Sequence, residues 1–588
     1  MNIYLNNICK GFYIQKIKSK IINENEGDQL IKIQTQIKQW RMAKLPPYLQ
    51  KELGEIVNDN KLVEDHFYQY VKFGTGGMRG ILGVGTNRMN IYTVRHAAAG
   101  LAQYVCEGGE EAKTRGVVIA YDTRHFSKEF AVETAKVLGA YGVHSYVFSE
   151  SRPTPELSFA VRYLYAYAGV VITASHNPKQ YNGFKVYGAD GAQLVPAGAD
   201  TIVSNMNKIE DIFAIETAEF EQYGQFILEK IDRAYQSSLL LLKEQSVKSN
   251  MKLVYTPLHG AGLVPVCEGL KAFGFDEVHI VEEQAIQDGG FPTVPYPNPE
   301  ETAAFEMAMK LGHKVGADLL LATDPDADRL GVAVRKGQSY ELLTGNQLGA
   351  LLLNYILQTK QSNGTLPENG VMIKTIVTSE LGAKIAAHYG VEAVNTLTGF
   401  KYIAEKIADY EKSGAYKYLF GYEESYGYLI EPFVRDKDAV QVALKVAEMA
   451  SFFESHGKTL LDALEDVYKQ FGYYKEALIS KVFEGKSGQE EMAVLLDTVR
   501  QNPPAEIAGK KVVLYEDYLT ATATAITGDK LPIDLPKENV LKFILEDESW
   551  TAIRPSGTEP KCKYYFGVTG ESESQASERL EQLKLSFI

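Results

Sequence analysis

Apolar residues follow two alternating spacings through most of the chain. Short runs rich in β-branched residues, such as GVVIAYD (116–122) and AGVVITA (168–174), have the composition of buried strands. Between them, SKEFAVETAKVLGAYG (127–142) and TPELSFAVRYLYA (154–166) repeat apolar residues at helical spacing. Thr154 stands where a helix cap is expected. Strands that alternate with helices in this way predict an α/β fold with a largely parallel sheet.

The same alternation begins again twice further along the chain. After a stretch that reads as helical over 226–245, the strands KLVYTP (252–257) and ADLLLATD (317–324) belong to a second unit. A third contains the strands GVMIKTIVTS (370–379) and YKYLFGYEES (416–425). The last hundred or so residues are richer in strands, for example KKVVLYED (510–517), which favours an α+β domain. The first forty residues mix lysines, asparagines and aromatic residues, and we expect them to form an extension or frayed arm.

The length, net charge and cysteine content of the chain limit the classes of protein to which it can belong. The 588 residues exceed what one hydrophobic core organises, so several domains are expected. A net charge of -14 disfavours a nucleic-acid or anionic-membrane surface. No apolar run approaches the roughly 20 residues that cross a bilayer. The four cysteines, Cys9, Cys106, Cys267 and Cys562, lack CxxC spacing, which indicates reduced thiols in a cytoplasmic protein.

Three aspartates follow the apolar run of residues 319–323. If DPDADR (324–329) stays extended, Asp324, Asp326 and Asp328 point to one side and repel one another unless a divalent cation lies between them. Magnesium suits such an oxygen site. An EF-hand is excluded, because Arg329 and Arg335 stand where glycine and glutamate would be needed. An aspartyl phosphatase with a DxDxT motif is disfavoured by Leu330 but stays open, as does a solvated acidic turn.

Four other segments carry polar residues next to strands. A serine and a histidine end the strand at TASHNP (173–178), and GTGGMRG (74–80) reads as a flexible glycine-rich loop with Arg79. The segment GYEESYGY (421–428) offers carboxylates to sugar hydroxyls, and RPSGTEPK (554–561) has the composition of a phosphate cradle. Each of these taken alone is also compatible with a turn or an exposed loop.

Together these segments resemble the α-D-phosphohexomutase superfamily, which includes phosphoglucomutases and phosphomannomutases. TASHNP resembles the phosphoserine loop, DPDADR the metal loop, GYEES the sugar loop and RPSGTEPK the phosphate loop, in the family's order. The resemblance implies four domains around a central cleft. We place an N-terminal extension at 1–40, α/β domains at 41–235, 236–343 and 344–473, and the α+β domain at 474–588.

The resemblance also implies a role for each residue. Ser175 becomes phosphorylated and binds Mg²⁺ together with Asp324, Asp326 and Asp328. Arg79, Lys185 and Arg329 act at the transferring group, and Lys437 is the first candidate for the general acid or base, with His176 second. The alternative to a catalytic role for Lys437 is an ion pair with Asp436 or Asp438 at the surface. The substrate-binding residues are Arg329, Thr398, Glu423, Ser425, Arg554, Ser556, Gly557, Thr558 and Lys561.

The implied reaction interconverts glucose 1-phosphate and glucose 6-phosphate, with glucose 1,6-bisphosphate as intermediate and activator. Tyr422 departs from the simpler GEES form and resembles a branch that includes phosphopentomutases. A pentose or mannose substrate therefore stays open, as do an aspartyl phosphatase and a non-catalytic sugar-phosphate sensor. We expect a cytoplasmic monomer or weak dimer that binds one Mg²⁺ and a small phosphosugar, and neither nucleic acid nor membrane.

Overall fold

The structure is a computed structural model that describes residues 22–74, 76–245, 250–483, 485–555 and 561–587. Of these, the residues within Lys18–Leu348 and Phe400–Thr459 form one compact unit, and those within Gly349–Gly399 and Leu460–Ile588 form another. The predicted order, α/β units followed by a strand-rich region, is confirmed.

From residue 22 onward, three helices precede the first sheet: α1 (Ile22–Met42), α2 (Pro47–Ile56) and α3 (Asn60–Phe67). Ile33 and Trp40 on α1 are almost fully buried. The Trp40 ring meets the edges of the Phe67 and Phe213 rings at centroid distances of 5.8 and 5.2 Å. The expected frayed arm is therefore wrong for α1, because these apolar side chains anchor the helix to the first α/β unit. Residues 1–21 lie outside the described residues.

The first sheet has seven strands in the order β1-β2-β6-β5-β3-β4-β7. The four strands β3, β4, β5 and β7 are parallel, and β6, β2 and β1 continue the sheet antiparallel. The strands are β1 (Phe73–Gly74), β2 (Gly77–Ile81), β3 (Val117–Tyr121), β4 (Ser145–Phe148), β5 (Ala168–Ile172), β6 (Tyr181–Gly188) and β7 (Gly224–Ile227). The helices of this part are α4 (Ile91–Glu107), α5 (Gly109–Arg115), α6 (Ser127–Ala140), α7 (Thr154–Tyr163), α8 (Pro196–Met206), α9 (Phe220–Tyr223) and α10 (Glu229–Leu240). Apolar side chains from β3 and β5 are fully buried in its core.

Three local predictions for this part are wrong. GTGGMRG is a β-hairpin rather than a flexible loop, because Arg79 lies in β2 and pairs with Gly183 of β6, although Thr75 lies outside the described residues. The predicted helix at 226–245 is confined to α10, and its first residues form β7. Thr154 does not cap α7: Pro153 is the N-cap residue, and no side chain makes a capping hydrogen bond there.

The second sheet has five strands in the order β12-β11-β10-β8-β9. Strands β8, β9 and β10 are parallel, and β11 and β12 are antiparallel to their neighbours. The strands are β8 (Leu253–Thr256), β9 (Val278–Ile280), β10 (Leu319–Thr323), β11 (Leu330–Lys336) and β12 (Ser339–Leu342). The helices are α11 (Leu263–Phe273), α12 (Glu282–Ala285) and α13 (Glu306–Val315), with a 3₁₀ turn at Thr302–Phe305. Strand β10 is therefore central, and all five of its residues are buried.

The next part of the chain contributes to both units. Strands β13 and β14 pair in parallel, and β15 and β16 form an antiparallel pair. The strands are β13 (Gly370–Thr375), β14 (Glu392–Thr396), β15 (Lys417–Glu423) and β16 (Gly427–Leu429). The helices are α14 (Gly345–Ser362), α15 (Leu381–His388), α16 (Phe400–Ser413), α17 (Ala439–Ser455) and α18 (Leu460–Phe471). Asp438 caps α17 by accepting hydrogen bonds from the backbone N–H groups of Val440 and Gln441.

The strand-rich region after α18 is an antiparallel sheet with two helices. Its order is β17-β24-β23-β22-β19-β20-β21, and β18 pairs with β19. The strands are β17 (Tyr473–Val482), β18 (Glu506–Ile507), β19 (Lys510–Asp517), β20 (Thr522–Ala525), β21 (Lys530–Pro532), β22 (Leu541–Leu545), β23 (Trp550–Pro555) and β24 (Lys561–Gly570). The helices are α19 (Gly485–Gln501) and α20 (Glu573–Leu585).

Two general expectations can be compared with these elements. Cys106, Cys267 and Cys562 are free thiols, as predicted, and Cys9 lies outside the described residues. Among the described helices, none combines the length and the apolar character needed to cross a lipid bilayer.

Candidate active site

Ser175 lies in the loop that follows the buried strand β5. Its backbone has a φ of 51°, in the left-handed region that residues other than glycine adopt rarely, and it is 3% exposed. Its Oγ donates a hydrogen bond to Asp324 Oδ2 at 2.8 Å and lies 3.1 Å from His176 Nδ1. The first sheet thus presents a buried serine hydroxyl to the aspartate loop of the second sheet.

The aspartate loop begins where the central strand β10 ends. The expectation of an extended segment is wrong: the loop turns at Ala327, whose φ is 46°. Asp324 Oδ1 stabilises the turn by accepting the backbone N–H groups of Asp328 and Arg329 at 3.1 and 3.0 Å. The carboxylates therefore converge because the chain folds back, and not because alternate residues of a strand face one side.

A second loop supports the aspartate loop from behind. The N–H of Ala261 donates to the carbonyl oxygen of Pro325 at 2.8 Å. A Cβ placed on the preceding Gly260 would come within 2.5 Å of Pro325 Cα. Only glycine therefore allows the two backbones to approach this closely.

The three carboxylates form a group that fits a divalent cation. Asp324, Asp326 and Asp328 are each at most 2% exposed, and one oxygen from each lies within 4.8 Å of the others. Among the described residues, Asp326 Oδ1 and Asp328 Oδ1 have no hydrogen-bond partner although both are buried. Buried carboxylate oxygens without a partner are costly, and carboxylates are ligands that hard divalent cations prefer. The donor set therefore fits a metal ion.

Two lysines whose side chains are only 12% exposed partly neutralise the carboxylates. Lys185 Nζ on β6 lies 2.9 Å from Asp326 Oδ2 and 3.5 Å from Asp328 Oδ2. Lys437 Nζ lies 3.2 Å from Asp328 Oδ2 and 3.0 Å from Asp436 Oδ1. The surface pairing considered for Lys437 is wrong, because only 12% of its side chain is exposed and the pair lies at the site.

These charges shift the pKa values in opposite directions. Burial raises the pKa of Asp324 well above its usual range, and the charges of Asp326 and Asp328 add to the effect. Burial also opposes ionisation of Asp328, but Lys437 and Lys185 outweigh it and hold that pKa below its usual range. The two lysines thus favour the ionised form of Asp328, whereas burial and the neighbouring carboxylates disfavour the ionised form of Asp324.

Two arginines and a histidine surround the serine. Arg329 Nη1 donates to Glu300 Oε1 at 2.5 Å, and Arg79 Nη1 donates to Asn177 Oδ1 at 2.9 Å. Burial lowers the pKa of His176 well below its usual value, and the charges of Arg329 and Arg79 reinforce this shift. The neutral form of the imidazole beside Ser175 is therefore favoured.

The predicted sugar loop lies between β15 and β16, next to Lys437. Glu423 is buried at the end of β15, and Ser425 is partly exposed in the turn. A Cβ on Gly427 would lie 2.1 Å from Lys437 Cδ, so the missing side chain makes room for the lysine. Tyr422 is fully buried, and its ring stacks with those of Phe420 and Tyr428. Tyr422 is thus a core residue of the loop's base.

Three family models match consecutive parts of the chain. Models of the α/β/α domains I, II and III of phosphoglucomutase/phosphomannomutase match residues 70–213, 231–337 and 344–471. The chain belongs to this phosphoglucomutase/phosphomannomutase family.

Relatives within the family match nearly the whole chain. A phosphoglucomutase of Staphylococcus haemolyticus is 40% identical over 88% of this chain and 93% of its own length. A phosphoglucomutase of Staphylococcus aureus strain MRSA252 is 41% identical over 85% of this chain and 90% of its own length. Members of this family generally use a metal ion, which agrees with the three buried carboxylates.

Solved structures of the family share the fold. A phosphoglucomutase/phosphomannomutase family protein from Burkholderia thailandensis has a TM-score of 0.64 at 19% identity, over 87% of this chain and 96% of its own. The phosphoglucomutase pp63/parafusin of Paramecium, in an open form, has a TM-score of 0.62 at 18% identity, over 88% and 96%.

The remaining predicted family residues lie in the unit that contains the strand-rich region. Thr398 follows β14, and its buried Oγ1 has no hydrogen-bond partner among the described residues. Arg554 at the end of β23 donates through Nε to Glu538 Oε1 at 3.1 Å, and Lys561 begins β24. Ser556, Gly557 and Thr558 lie outside the described residues, so the phosphate-loop assignment stays a prediction.

Two residues at the site were missed from the sequence. Thr154 Oγ1 donates to Asp326 Oδ2 at 2.9 Å, and the Thr154 N–H donates to the carbonyl oxygen of Asp326 at the same distance. Glu300, in a proline-rich loop, pairs with Arg329. The threonine was visible only as a candidate helix cap, and nothing in the sequence around Glu300 distinguishes it from Glu301.

Proposed function

We propose that this protein is a phosphoglucomutase, an isomerase that interconverts α-D-glucose 1-phosphate and glucose 6-phosphate through a phosphoserine enzyme. The hydrogen bond between the Ser175 hydroxyl and Asp324 carries the proposal. It joins a nucleophile to a candidate cation site within a cluster of charged side chains. Relatives called phosphoglucomutases, about 40% identical over most of the chain, support the choice of hexose.

The proposed reaction has two phosphoryl transfers. In the first, the bond between Ser175 Oγ and phosphorus breaks while a hydroxyl of the sugar monophosphate forms a bond to the same phosphorus. The hydroxyl proton passes to a general base, and glucose 1,6-bisphosphate results. After the bisphosphate turns round, its other phosphoryl group returns to Ser175 and the second sugar oxygen is protonated. Every group that serves the first transfer also serves the second.

The chain's own charges suit phosphoryl transfer, in which positioning and charge stabilisation dominate. Asp324, Asp326, Asp328 and the phosphorylated Ser175 would hold the ion, which we assign as Mg²⁺. When bound, Mg²⁺ would withdraw negative charge from the phosphoryl oxygens. Lys185 already lies in the same cluster and holds the carboxylates in place through contacts of 2.9 and 3.5 Å.

Four further assignments complete the transfer site. Arg79 and Arg329 are assigned to the oxygens of the transferring group, since both guanidinium groups border the serine loop or the aspartate loop. Lys437 is our first candidate for the proton-transferring group, because its Nζ reaches the aspartate cluster beside the sugar loop. As the neutral amine it would accept the hydroxyl proton, and as the ammonium it would return one. His176, 3.1 Å from Ser175 Oγ, is the second.

The substrate's other groups need hydrogen bonds and charge. We assign Glu423, Ser425 and Thr398 to the sugar hydroxyls, because hydroxyls pair readily with carboxylate and hydroxyl oxygens. The non-reacting phosphate is assigned to the loop that begins at Arg554 and ends at Lys561, together with Ser556, Gly557 and Thr558. Cationic side chains and free backbone N–H groups are what bind a phosphate dianion.

The substrate is tested by assaying glucose, mannose, ribose and deoxyribose 1-phosphates side by side, with Mg²⁺ and catalytic glucose 1,6-bisphosphate. We expect glucose 1-phosphate to give the highest kcat/KM. A higher value for a pentose 1-phosphate would make the protein a phosphopentomutase, and a higher value for mannose 1-phosphate a phosphomannomutase. Binding without turnover of any of the four would identify a sensor and contradict the proposal.

We also propose that the protein acts in the cytoplasm as a monomer or weak dimer. The free thiols of Cys106, Cys267 and Cys562 support a reducing compartment. Light scattering across a range of protein concentrations tests the oligomeric state, and a constant mass of two or more chains would contradict it.

Replacing Glu300 by glutamine is expected to lower kcat/KM for glucose 1-phosphate by roughly 10-fold, because the ion pair with Arg329 becomes a weaker hydrogen bond to a neutral amide oxygen. The reason is that Glu300 accepts from Arg329 Nη1 at 2.5 Å and orients its guanidinium group. Steady-state kinetics give the measurement. Glu301→Gln is the matched control, since Glu301 is an exposed neighbour. Equal losses in both variants would show that Glu300 has no particular role.

A further inference from the structure

Residues 173–181, here called the serine loop, run from the end of β5 to the first residue of β6. Four of their backbone carbonyl oxygens accept hydrogen bonds from one side chain, the guanidinium group of Arg124. Its Nη2 donates to Ser175 O at 2.6 Å and also to Asn177 O. Its Nη1 donates to Pro178 O at 2.9 Å and to Tyr181 O at 3.1 Å. Arg124 thus contacts the loop at both ends and in the middle, without contacting the serine hydroxyl.

The N–H side of Ser175 is held by a second chain of hydrogen bonds. The Ser175 N–H donates to Thr173 Oγ1 at 2.8 Å, and Thr173 Oγ1 donates to Asp122 Oδ2 at 2.6 Å. Asp122 Oδ2 also lies 3.3 Å from Arg124 Nε. The N–H and the C=O of the same strained residue are therefore fixed by groups that converge on the loop after β3.

The guanidinium group itself has little freedom. Arg124 is 3% exposed, and its guanidinium carbon lies 4.9 Å from the centre of the Phe291 ring. A Cβ on Gly289 would lie 2.4 Å from the N–H nitrogen of His125, so the loop that carries Phe291 packs closely on the arginine's own backbone. A planar group with five N–H donors can serve four carbonyl oxygens at once, whereas an ammonium group has three donors and no plane.

We propose that Arg124 and Thr173 are positioning residues for the phosphoryl-transfer step. They hold Ser175 in the left-handed conformation in which its Oγ meets Asp324, and they act through the backbone rather than by touching substrate. Without them the loop relaxes, because a non-glycine residue stays at a φ of 51° only where its surroundings enforce it. The inference rests on the proposed function for its catalytic consequence, but the effect on the loop is independent of it.

The test is Arg124→Lys in the full-length protein, with two measurements. Hydrogen–deuterium exchange, read by mass spectrometry, should show faster exchange in peptides that cover residues 173–183 and unchanged exchange in peptides from β8. With glucose 1-phosphate, kcat should fall by about 100-fold, the loss that a displacement of about 1 Å can cause, while KM changes by less than about 3-fold.

Arg88→Lys is the matched control. Arg88 is also buried, at 6% exposure, and its Nη1 also donates to backbone carbonyl oxygens, those of Asn87 at 3.0 Å and Asp65 at 3.3 Å. The hydrogen bonds and ion pair of its guanidinium group in the described structure go to Asp65 and Asn87, outside the serine loop. We expect Arg88→Lys to leave exchange at 173–183 and kcat unchanged.

Wild-type exchange at 173–183 in Arg124→Lys would overturn the proposal, as would a rise in KM at constant kcat. If the wild-type protein turned over none of the sugar phosphates, the proposed function would fail, and the exchange result alone would decide whether Arg124 positions the loop. Should Arg124→Lys not fold, Thr173→Val removes the acceptor of the Ser175 N–H at nearly constant volume. Unchanged exchange of that amide in Thr173→Val would equally contradict the inference.

Discussion

Ser175→Ala protein is expected to carry no phosphate and to convert glucose 1-phosphate at a rate lower by 10⁴- to 10⁶-fold, the order of loss when a catalytic nucleophile is removed. The physical reason is that the proposed route needs an oxygen that accepts and releases a phosphoryl group, and a methyl group has none. Phosphate that is stable in acid but labile in alkali, measured on protein incubated with glucose 1,6-bisphosphate, gives the direct readout.

Ser145→Ala is the matched control for that experiment. Ser145 lies in the parallel strand β4 of the same sheet, is 1% exposed, and its Oγ has no hydrogen-bond partner among the described residues. Its loss should change neither phosphorylation nor rate. Phosphate of undiminished stoichiometry on Ser175→Ala protein would contradict the assignment, and an acyl phosphate there would instead identify an aspartyl phosphatase.

Asp326→Asn is expected to weaken Mg²⁺ binding by at least about 100-fold, the upper end of what loss of an indirect partner of a metal site costs. The substitution replaces a charged oxygen that has no hydrogen-bond partner among the described residues by a neutral amide group. Two measurements check it: the Mg²⁺ concentration for half-maximal activity, and a calorimetric Mg²⁺ titration of the protein without substrate.

The control lies at the other end of the same strand. Asp318 precedes β10, and its Oδ2 accepts the backbone N–H of Lys252 at 3.0 Å, a bond that an asparagine carbonyl oxygen can also accept. We expect Asp318→Asn to bind Mg²⁺ as the wild type does. Equal Mg²⁺ affinity of Asp326→Asn and the wild type would exclude Asp326 as a ligand.

Much of the architecture was predictable because the spacing of apolar residues in short segments indicates whether each forms a strand or a helix. Runs such as residues 117–121 and 319–323 are apolar without alternation, and the structure buries both completely as parallel strands. The predictions fail where contacts with residues distant in sequence determine the local structure. GTGGMRG has the composition of a loop, but pairing with β6 makes it a strand, and Ile33 and Trp40 dock a segment that was predicted to be a frayed arm.

Prediction of the candidate site had the same limit. The serine and the three aspartates were found because each follows directly after a buried strand, which is a local signal. The geometry that unites them is not local: Ser175 and Asp324 are 149 residues apart in sequence. The three carboxylates converge by way of a turn that reverses the chain at Ala327, and not by way of the extended segment that their spacing suggested.

Residue types and local periodicity therefore specified the strands, the helices and the chemical character of each loop, since burial and hydrogen-bonding capacity are properties of short segments. Which side chains and backbone groups contact one another was determined only by the tertiary structure. Lys437 reaches Asp328 rather than solvent, Thr154 bonds Asp326 rather than capping its helix, and Arg124 bonds four carbonyl oxygens of the serine loop. Each of these contacts joins segments that are distant in sequence, and a linear pattern carries no record of which distant groups packing brings together.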